Sequence, residues 1–391
     1  NETYETAHPY TGTGMVWEHT FQSPKASYIR IHFSKFDLAA GDYVEISSPD
    51  GKYKYRYEGK GRVVRGGQAV LSEFWSSHIP GDTAVVSLIV NSGNGYGFVI
   101  DKWAHGYESG IISNNLGIEN GIGIEAICSA DNKEWAACYQ GTTMYQKAQA
   151  VARLLIGGSS ACTGWLLGSE GHLMTNHHCI NTQSDADNTE YEFMAEGATC
   201  TTSCSGWFSC PGVVEASSGT LVKADSNNDY ALVLLPTNLT SKYGYLQFRN
   251  AVPSASERIY VPQHPGGKGK QLAVNDDMSG GYCQVNSTST SSCYRSAPNI
   301  GYYCDTEGGS SGSPVLAYSD NLVVGLHHCG SCLNTAVQAP SIVTNLGTAH
   351  PANAIGGSAC TQIIRTITPP AVTTAAPGGI LGPFYVTETN N

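Results

Sequence analysis

All thirteen cysteines of this 391-residue chain lie between positions 128 and 360, and none falls in the first 127 residues. So dense a supply points to disulfides and an oxidising compartment, and its abrupt start marks a domain boundary. The cysteine-free part must hold together by burial alone, whereas the remainder can be cross-linked. Cys329 and Cys332 have a C-x-x-C spacing, but no second pair at a matching spacing completes a zinc or redox motif. No metal and no other cofactor is therefore expected. Spacing alone does not give connectivity. An odd count leaves at least one thiol over, or an intermolecular bridge, and Cys360 is the candidate for the odd one.

The cysteine-free part reads as antiparallel sheet. The strings SYIRIHFSKFDL, DYVEISS, YKYRYEG, AVVSLIV and YGFVIDKW alternate apolar and polar residues between turn residues, as half-buried strands do. Strands at that spacing predict a β-sandwich over residues 1–108. With 14% charged residues, 45 glycines and short β-rich runs elsewhere, an all-β chain is expected throughout. Residues 109–125 are rich in Gly and Asn and read as a linker; residues 368–391, with Pro, Thr and Ala bias, read as an extended tail. In TMYQKAQAVARLLI the first half favours helix and VARLLI favours strand, a choice left to tertiary context. No run of 18 apolar residues exists, so no membrane span is expected. A net charge of −11 argues against a nucleic-acid partner. The chain does not begin with an apolar signal segment, and its cysteine content suggests that one was removed from a secreted, extracellular protein. Asn1, Asn238 and Asn286 each begin an N-x-S/T acceptor for glycosylation.

Chemistry concentrates in three strings. Gly308-Gly309-Ser310-Ser311-Gly312-Ser313-Pro314 sets a serine in a tight glycine turn that can present a hydroxyl and two backbone N–H groups. Serine needs a general base beside it, and histidine has the suitable pKa; an aspartate on the second imidazole nitrogen fixes the tautomer. His178 precedes Cys179 in MTNHHC, and Asp229 opens the apolar run DYALVLL. The chain order His, Asp, Ser separates this set from subtilisin order (Asp, His, Ser) and α/β-hydrolase order (Ser, Asp, His). Strand alternation points His177 away from His178, so it reads as structural, and His172 and His264 read as incidental.

On CTGWLL with MTNHHC, NDYALVLL, DTEGGSSGSPV and VVGLHHCG, residues 126–367 resemble a trypsin-like serine protease of two β-barrels, nearest to the lysyl and glutamyl endopeptidases. The resemblance implies a serine endopeptidase acting on protein or peptide substrates. It makes His178 the base, Asp229 its orienter and Ser311 the nucleophile, with the N–H groups of Gly309 and Ser311 forming the oxyanion hole, so that Gly309 should matter more than the side chain of Ser310. It also implies the pairs Cys162–Cys179, Cys128–Cys332 and Cys138–Cys200, and more weakly Cys304–Cys329. Ser310 stands where trypsins commonly have an aspartate that receives a cleaved N-terminus, which argues against that activation switch.

The strings IHFSKFDLAAGDYVEI, EFWSSHIPGD and GYGFVI resemble a CUB domain over nearly the whole of residues 1–108, without its usual cysteines. Some CUB domains use acidic residues to bind calcium and contact proteins, so the resemblance allows an extracellular protein partner here. Asp37 and Asp42 fall where two calcium ligands would lie, but no aspartate follows near Asn91, and two carboxylates are too few for calcium. They read as solvated loop acids.

Substrate choice divides within one segment. The resemblance puts Asp305 at the floor of the primary pocket, favouring cleavage after Lys or Arg; Thr306 and His327 instead match positions by which glutamyl endopeptidases bind an acidic side chain. Lysyl endopeptidases share the histidine, so His327 does not discriminate, and an acid unpaired by substrate would be costly to bury, so Asp305 could instead face solvent or bond backbone; the reading leans slightly to the basic preference. The alternative is an extracellular structural or adhesive protein that uses both folds as scaffold, because fold alone does not establish function.

Overall fold

A computed structural model describes residues 2–91, 93–106, 127–292 and 297–356. The expected linker at 109–125, the tail at 368–391, Asn1 and Cys360 lie outside the described residues.

Residues 4–105 form two antiparallel sheets around one core. One sheet runs Tyr4–Glu5, Gly97–His105, Tyr28–Asp37, Phe74–Trp75, with Ile79–Pro80 also on Tyr28–Asp37; the other runs Gly14–Gln22, Thr83–Val90, Tyr43–Ser47, Lys54–Glu58. The alternation in TAVVSLIV does what period two requires: Ala84, Val86, Leu88 and Val90 are buried, and the residues between them are half-exposed. They meet Ile29, Ile31, Phe33 and Phe98 of the facing sheet. Truncating one such residue, as in Leu88→Ala, removes a buried side chain from a packed site, at a cost of about 2–5 kcal/mol. Asp42 is not the solvated acid expected from sequence. It is fully buried, where its carboxylate accepts from Tyr10 OH at 2.7 Å and from the Asn91 N–H at 2.8 Å.

The cysteine-containing part is built on two larger sheets. The first has seven strands in the order Val213–Ala216, Thr189–Phe193, Val151–Ile156, Ser160–Leu167, His172–Thr175, Tyr230–Leu234, Thr220–Asp225. The second has ten, centred on Ile259–Gln263, Pro314–Ala317, Val323–Cys329 and Asn334–Gln338. Their central strands are buried on both faces, which is why YALVL and VVGLHHC read as continuous apolar runs rather than alternations. Both readings of TMYQKAQAVARLLI are realised in succession, as helix Thr143–Ala148 and then strand Val151–Ile156. Thr142 caps that helix by accepting from the Tyr145 N–H, and the chain then turns into the sheet.

Four disulfides join described residues: Cys128–Cys332, Cys138–Cys200, Cys162–Cys179 and Cys204–Cys210. The first three match the pairs that the resemblance implied, and the fourth was not foreseen. The expected Cys304–Cys329 bond is absent. Cys304 is a buried free thiol beside the free thiol of Cys283, and Cys329 is disulfide-bonded elsewhere.

The N-terminal sandwich is docked against the seven-stranded sheet through buried polar contacts. Arg30, fully buried, donates to the carbonyls of Ser76, Leu155, Gly157 and Asn188. His78 gives its N–H to Glu190 Oε1 at 3.0 Å and sets its Nδ1 2.6 Å from Oε2, with both residues buried. Tyr28 packs with Leu155, Trp207 and Phe208 and donates to the Gly158 carbonyl at 2.9 Å. A Cβ at Gly158 would come within 2.5 Å of the Trp75 ring, so glycine there permits the close approach. Burial alone would raise the Glu190 pKa, but the charges of His78 and Arg30 and the His78 hydrogen bonds prevail and hold it down at about 2.

A carboxylate depressed on folding contributes stability that is complete above its ordinary pKa and lost as pH falls through the folded value. Glu190→Gln should therefore cost about 1–3 kcal/mol in urea unfolding near neutrality. The gap to wild type should close as the pH falls from 4.5 towards 2. A gap that stays constant across that range would refute the role assigned to this pair.

Candidate active site

The site forms where the two larger sheets meet. His172–Thr175 pairs with Tyr230–Leu234 so that Thr175 faces Ala231, which brings the residues after Thr175 and those before Tyr230 to one end. Asp229 lies in the turn entering its strand, in the left-handed region at φ 44°, a conformation that aspartate tolerates better than most residues. Asp225 braces that turn by accepting from the Asn228 N–H at 2.7 Å and from its Nδ2 at 2.9 Å. Asn176 Nδ2 donates to the Asp229 carbonyl at 2.8 Å.

His178 and Asp229 are thereby coupled twice. The His178 N–H donates to Asp229 Oδ1 at 3.0 Å, and its Nδ1 lies 2.9 Å from Oδ2. Asp229 is 2% exposed, so its charge depends on these donors. Burial pushes its pKa up, yet hydrogen bonds from His178 and His328, together with their charge, outweigh that and hold it well below the usual carboxylate range. An ionised acceptor on Nδ1 leaves Nε2 of a neutral His178 as the basic nitrogen. His177, half-buried like its neighbour, makes none of these bonds to Asp229.

Ser311 comes from the second sheet, just before Pro314–Ala317, and is held against the first. Its carbonyl accepts from the Thr163 N–H at 2.8 Å and lies 4.0 Å from Cys179 Sγ, one residue from His178. The Cys162–Cys179 disulfide closes this arrangement by tying the turn that carries His178 to the strand that carries Thr163. Gly312 has φ +89°, and a Cβ there would fall 2.1 Å from the Thr163 carbonyl oxygen, so no other residue fits. Gly309 has φ +102°, its carbonyl is fixed by Thr163 Oγ1 at 2.8 Å, and its N–H has no acceptor among the described residues. That is the condition an oxyanion donor must meet.

Several residues depart from expectation. Ser310 is fully buried, donates to Gln263 Oε1 at 2.5 Å and accepts from the Glu307 N–H at 3.1 Å, so its side chain has a structural role that the sequence did not reveal. At His264 it is the backbone that is used: its N–H donates to Thr163 Oγ1 at 3.0 Å, and its carbonyl oxygen lies 2.9 Å from where a Gly309 Cβ would be. Asp305 is fully buried, and both oxygens are engaged by backbone: Oδ1 by the Cys128 N–H at 3.0 Å and Oδ2 by the Asn132 N–H at 2.8 Å. Burial raises its pKa against those two hydrogen bonds. Asp305 thus bonds backbone, a setting in which a buried acid is satisfied without a substrate cation. Thr306 is fully buried with no partner for Oγ1 among the described residues, and His327 Nδ1 lies 2.7 Å from Tyr302 OH. His328, which the sequence did not single out, sets its Nδ1 3.2 Å from Asp229 Oδ2.

Two further features lie away from this centre. A cavity of about 660 Å³ opens between the sandwich and the seven-stranded sheet, lined by Trp75, Gly158, Asp185 and Asn188 among others and by none of His178, Asp229 or Ser311. Asn238 and Asn286 are exposed, so both sequons are accessible.

Residues 162–326 match the trypsin-like peptidase domain family, a span that contains His178, Asp229 and Ser311. Among solved structures, a Glu endopeptidase in complex with MPD is 19% identical, covering 56% of this chain and 96% of its own, with a TM-score of 0.38. The serine endoprotease from Yersinia pestis is 14% identical, covering 52% and 65%, with a TM-score of 0.37. The secreted RxLR effector protein 73 of Plasmopara viticola is 42% identical over 336 residues, which span 82% of this chain and 79% of the effector. On that identity and coverage the chain belongs to the same family as this effector, with a trypsin-like β-barrel peptidase domain in its cysteine-containing part.

Proposed function

We propose that the protein is a secreted serine endopeptidase that hydrolyses peptide bonds through an acyl-enzyme. The observation that carries this reading is the doubly bonded His178–Asp229 couple beside a nucleophile turn whose Gly309 N–H is unspent. In this reading Asp229 holds the His178 tautomer, His178 Nε2 takes the proton from Ser311 as Oγ attacks the scissile carbonyl, and the same nitrogen then protonates the leaving amine. Water repeats the sequence on the ester. The Gly309 and Ser311 N–H groups meet the negative charge on the tetrahedral oxygen, a contribution of roughly 3–4 kcal/mol per donor in comparable sites. Four disulfides and kinship with a protein named as a secreted effector support an extracellular location, where Asn238 and Asn286 would carry glycans. The proposed organisation is a CUB-like sandwich over residues 1–108, a linker at 109–125, the peptidase over 126–367 and a tail. The two antiparallel sheets around one core support the first unit.

For specificity we propose that Thr306 and His327, rather than Asp305, line the primary pocket, and that it takes an acidic side chain. The buried Thr306 hydroxyl without a partner supports this, since a substrate carboxylate would accept from it. Asp305, the candidate partner for a lysine or arginine, is fully buried, with each oxygen accepting from a backbone N–H.

A serine-directed phosphonate should label the folded protein, and Ser311→Ala should abolish labelling; a folded sample that never labels would favour the scaffold alternative. Asp229→Asn should lower kcat about 10⁴-fold by favouring the wrong tautomer. Gly309→Ala should lower kcat about 10²–10³-fold through the misplaced donor, with little change in KM. Digestion of a peptide library should give cuts after Glu, and Thr306→Val should raise KM for those substrates. Cuts confined to Lys and Arg would overturn the pocket assignment and leave the reaction assignment intact.

A further inference from the structure

The ten-stranded sheet holds a buried polar set that the site described above does not use. A carboxylate oxygen of Asp276 and the Sγ atoms of Cys283 and Cys304 all lie within 4.8 Å of one another. Cys283 and Cys304 are free thiols, fully buried in the apolar cluster that also contains Ile259, Val261, Tyr302 and Val315. Asp276 is buried beside them. Its Oδ1 accepts from the N–H groups of Met278 at 2.9 Å and Ser279 at 2.6 Å, whereas its buried Oδ2 has no partner among the described residues. The expectation of no metal rested on motif spacing, and these three residues meet through the fold instead.

We propose that Asp276, Cys283 and Cys304 form a structural site for a borderline-soft divalent cation of the zinc class. A buried carboxylate oxygen without a donor costs about 1–3 kcal/mol or more, so the orphaned Oδ2 calls for a positive partner. The sulfurs choose its type: thiolates suit zinc, whereas calcium and magnesium take oxygen ligands. Zinc holds thiolates at about 2.3 Å and carboxylates at about 2.0–2.2 Å, so the three atoms have only to draw together around it. The Asn275 carbonyl, whose oxygen lies 3.6 Å from Cys283 Sγ, is placed to be the fourth ligand. As the cation binds, each thiol releases its proton to solvent and gives the freed electron pair to a metal–sulfur bond, so two protons leave per cation. A disulfide between the same cysteines would need an external oxidant, such as a small-molecule disulfide, and would leave Asp276 Oδ2 unmet. A cation satisfies all three groups.

Both sulfurs sit on fixed backbone. The Cys283 N–H donates to the Val274 carbonyl at 3.0 Å, and its carbonyl accepts from the Ile259 N–H at 2.9 Å. The Cys304 carbonyl accepts from Asn334 Nδ2 at 2.9 Å. Asp276 and Cys283 belong to the connection that follows Gln271–Ala273, while Cys304 follows Asn299–Tyr302 and directly precedes Asp305 and Thr306. The cation thus cross-links that connection to the segment leading to Ser311. All three residues are closed to solvent, so it is taken up as the chain folds and exchanges slowly.

The test is the metal content of the full chain, purified from a secreting host without chelator and then passed over a chelating resin to remove surface ions. Elemental mass spectrometry should find one zinc per chain in the wild type and only the buffer background in Cys304→Ser. Asp276→Asn keeps an oxygen for the Met278 and Ser279 N–H groups but loses the charge, and it should give up zinc at a chelator concentration at least about tenfold lower. Wild type produced in cobalt-enriched medium should show a thiolate-to-cobalt charge-transfer band that Cys304→Ser lacks. Alkylation in denaturant and chelator without reductant, followed by peptide mapping, should modify both Cys283 and Cys304. A peptide joining Cys283 to Cys304, free thiols in a folded chain that holds no metal, or an Asp276→Asn variant that keeps zinc as tightly as the wild type overturns the proposal. If Cys304→Ser does not fold, the wild-type metal content and thiol map decide it alone. Neither readout uses activity, so the outcome is independent of the peptidase reading.

Discussion

A buried charge must be surrounded by donors, and the Asp229 carboxylate meets that demand with donors from His178 and His328. Its donors come from both large sheets: the N–H and ring of His178 follow one strand of the first, and the ring of His328 lies in a strand of the second. The carboxylate therefore holds the two sheets together at the place where the Ser311 turn sits. Removing it would leave buried polar groups unmet in both sheets, which costs more than any single bond contributes. The depressed pKa of Asp229 has the same origin, since the donors that hold the sheets also keep the charge.

Thr163 plays the complementary part for the Ser311 turn. Its N–H holds the Ser311 carbonyl, and its hydroxyl donates to the Gly309 carbonyl while accepting from the His264 N–H. Its own carbonyl accepts from Thr175 Oγ1, in the strand that leads to His178. One residue next to the Cys162–Cys179 bridge thus ties the turns of Ser311, Gly309 and His178 together through its backbone and its hydroxyl. Rigid elements position a site more precisely than loops do, and here the loops are bonded into the sheets.

The N-terminal sandwich spends part of its surface on its own chain. Arg30, His78 and Tyr28 face Leu155, Gly157, Gly158 and Glu190, and Glu190 belongs to the strand that begins eleven residues after His178. Contacts of this kind, with a fully buried arginine on four carbonyls and a histidine–glutamate pair, fix relative orientation more than they add stability. None of them was legible in the sequence, because Arg30 and His78 stand in runs where a polar residue reads as the solvent face of a strand. Asp42 misled in the same way, a loop acid by pattern and a buried acceptor in fact.

By itself the sequence determined the all-β class, the sandwich strands and the three strings that carry His178, Asp229 and Ser311, because period two and local turn chemistry are written in neighbouring residues. Three disulfides became legible through resemblance rather than through spacing. What only the tertiary structure decided concerns groups whose partners are distant along the chain. Asp305 and Thr306 are adjacent and equally polar in sequence, yet one has both oxygens engaged by backbone amides of residues 128 and 132 and the other keeps a hydroxyl without a partner. His327 and His328 are adjacent in a strand whose register shifts between His327 and Cys329, and one ring goes to Tyr302 while the other goes to Asp229. Strand alternation gives the face of a side chain, but a one-residue slip reverses it, and the slip is set by the neighbouring strand.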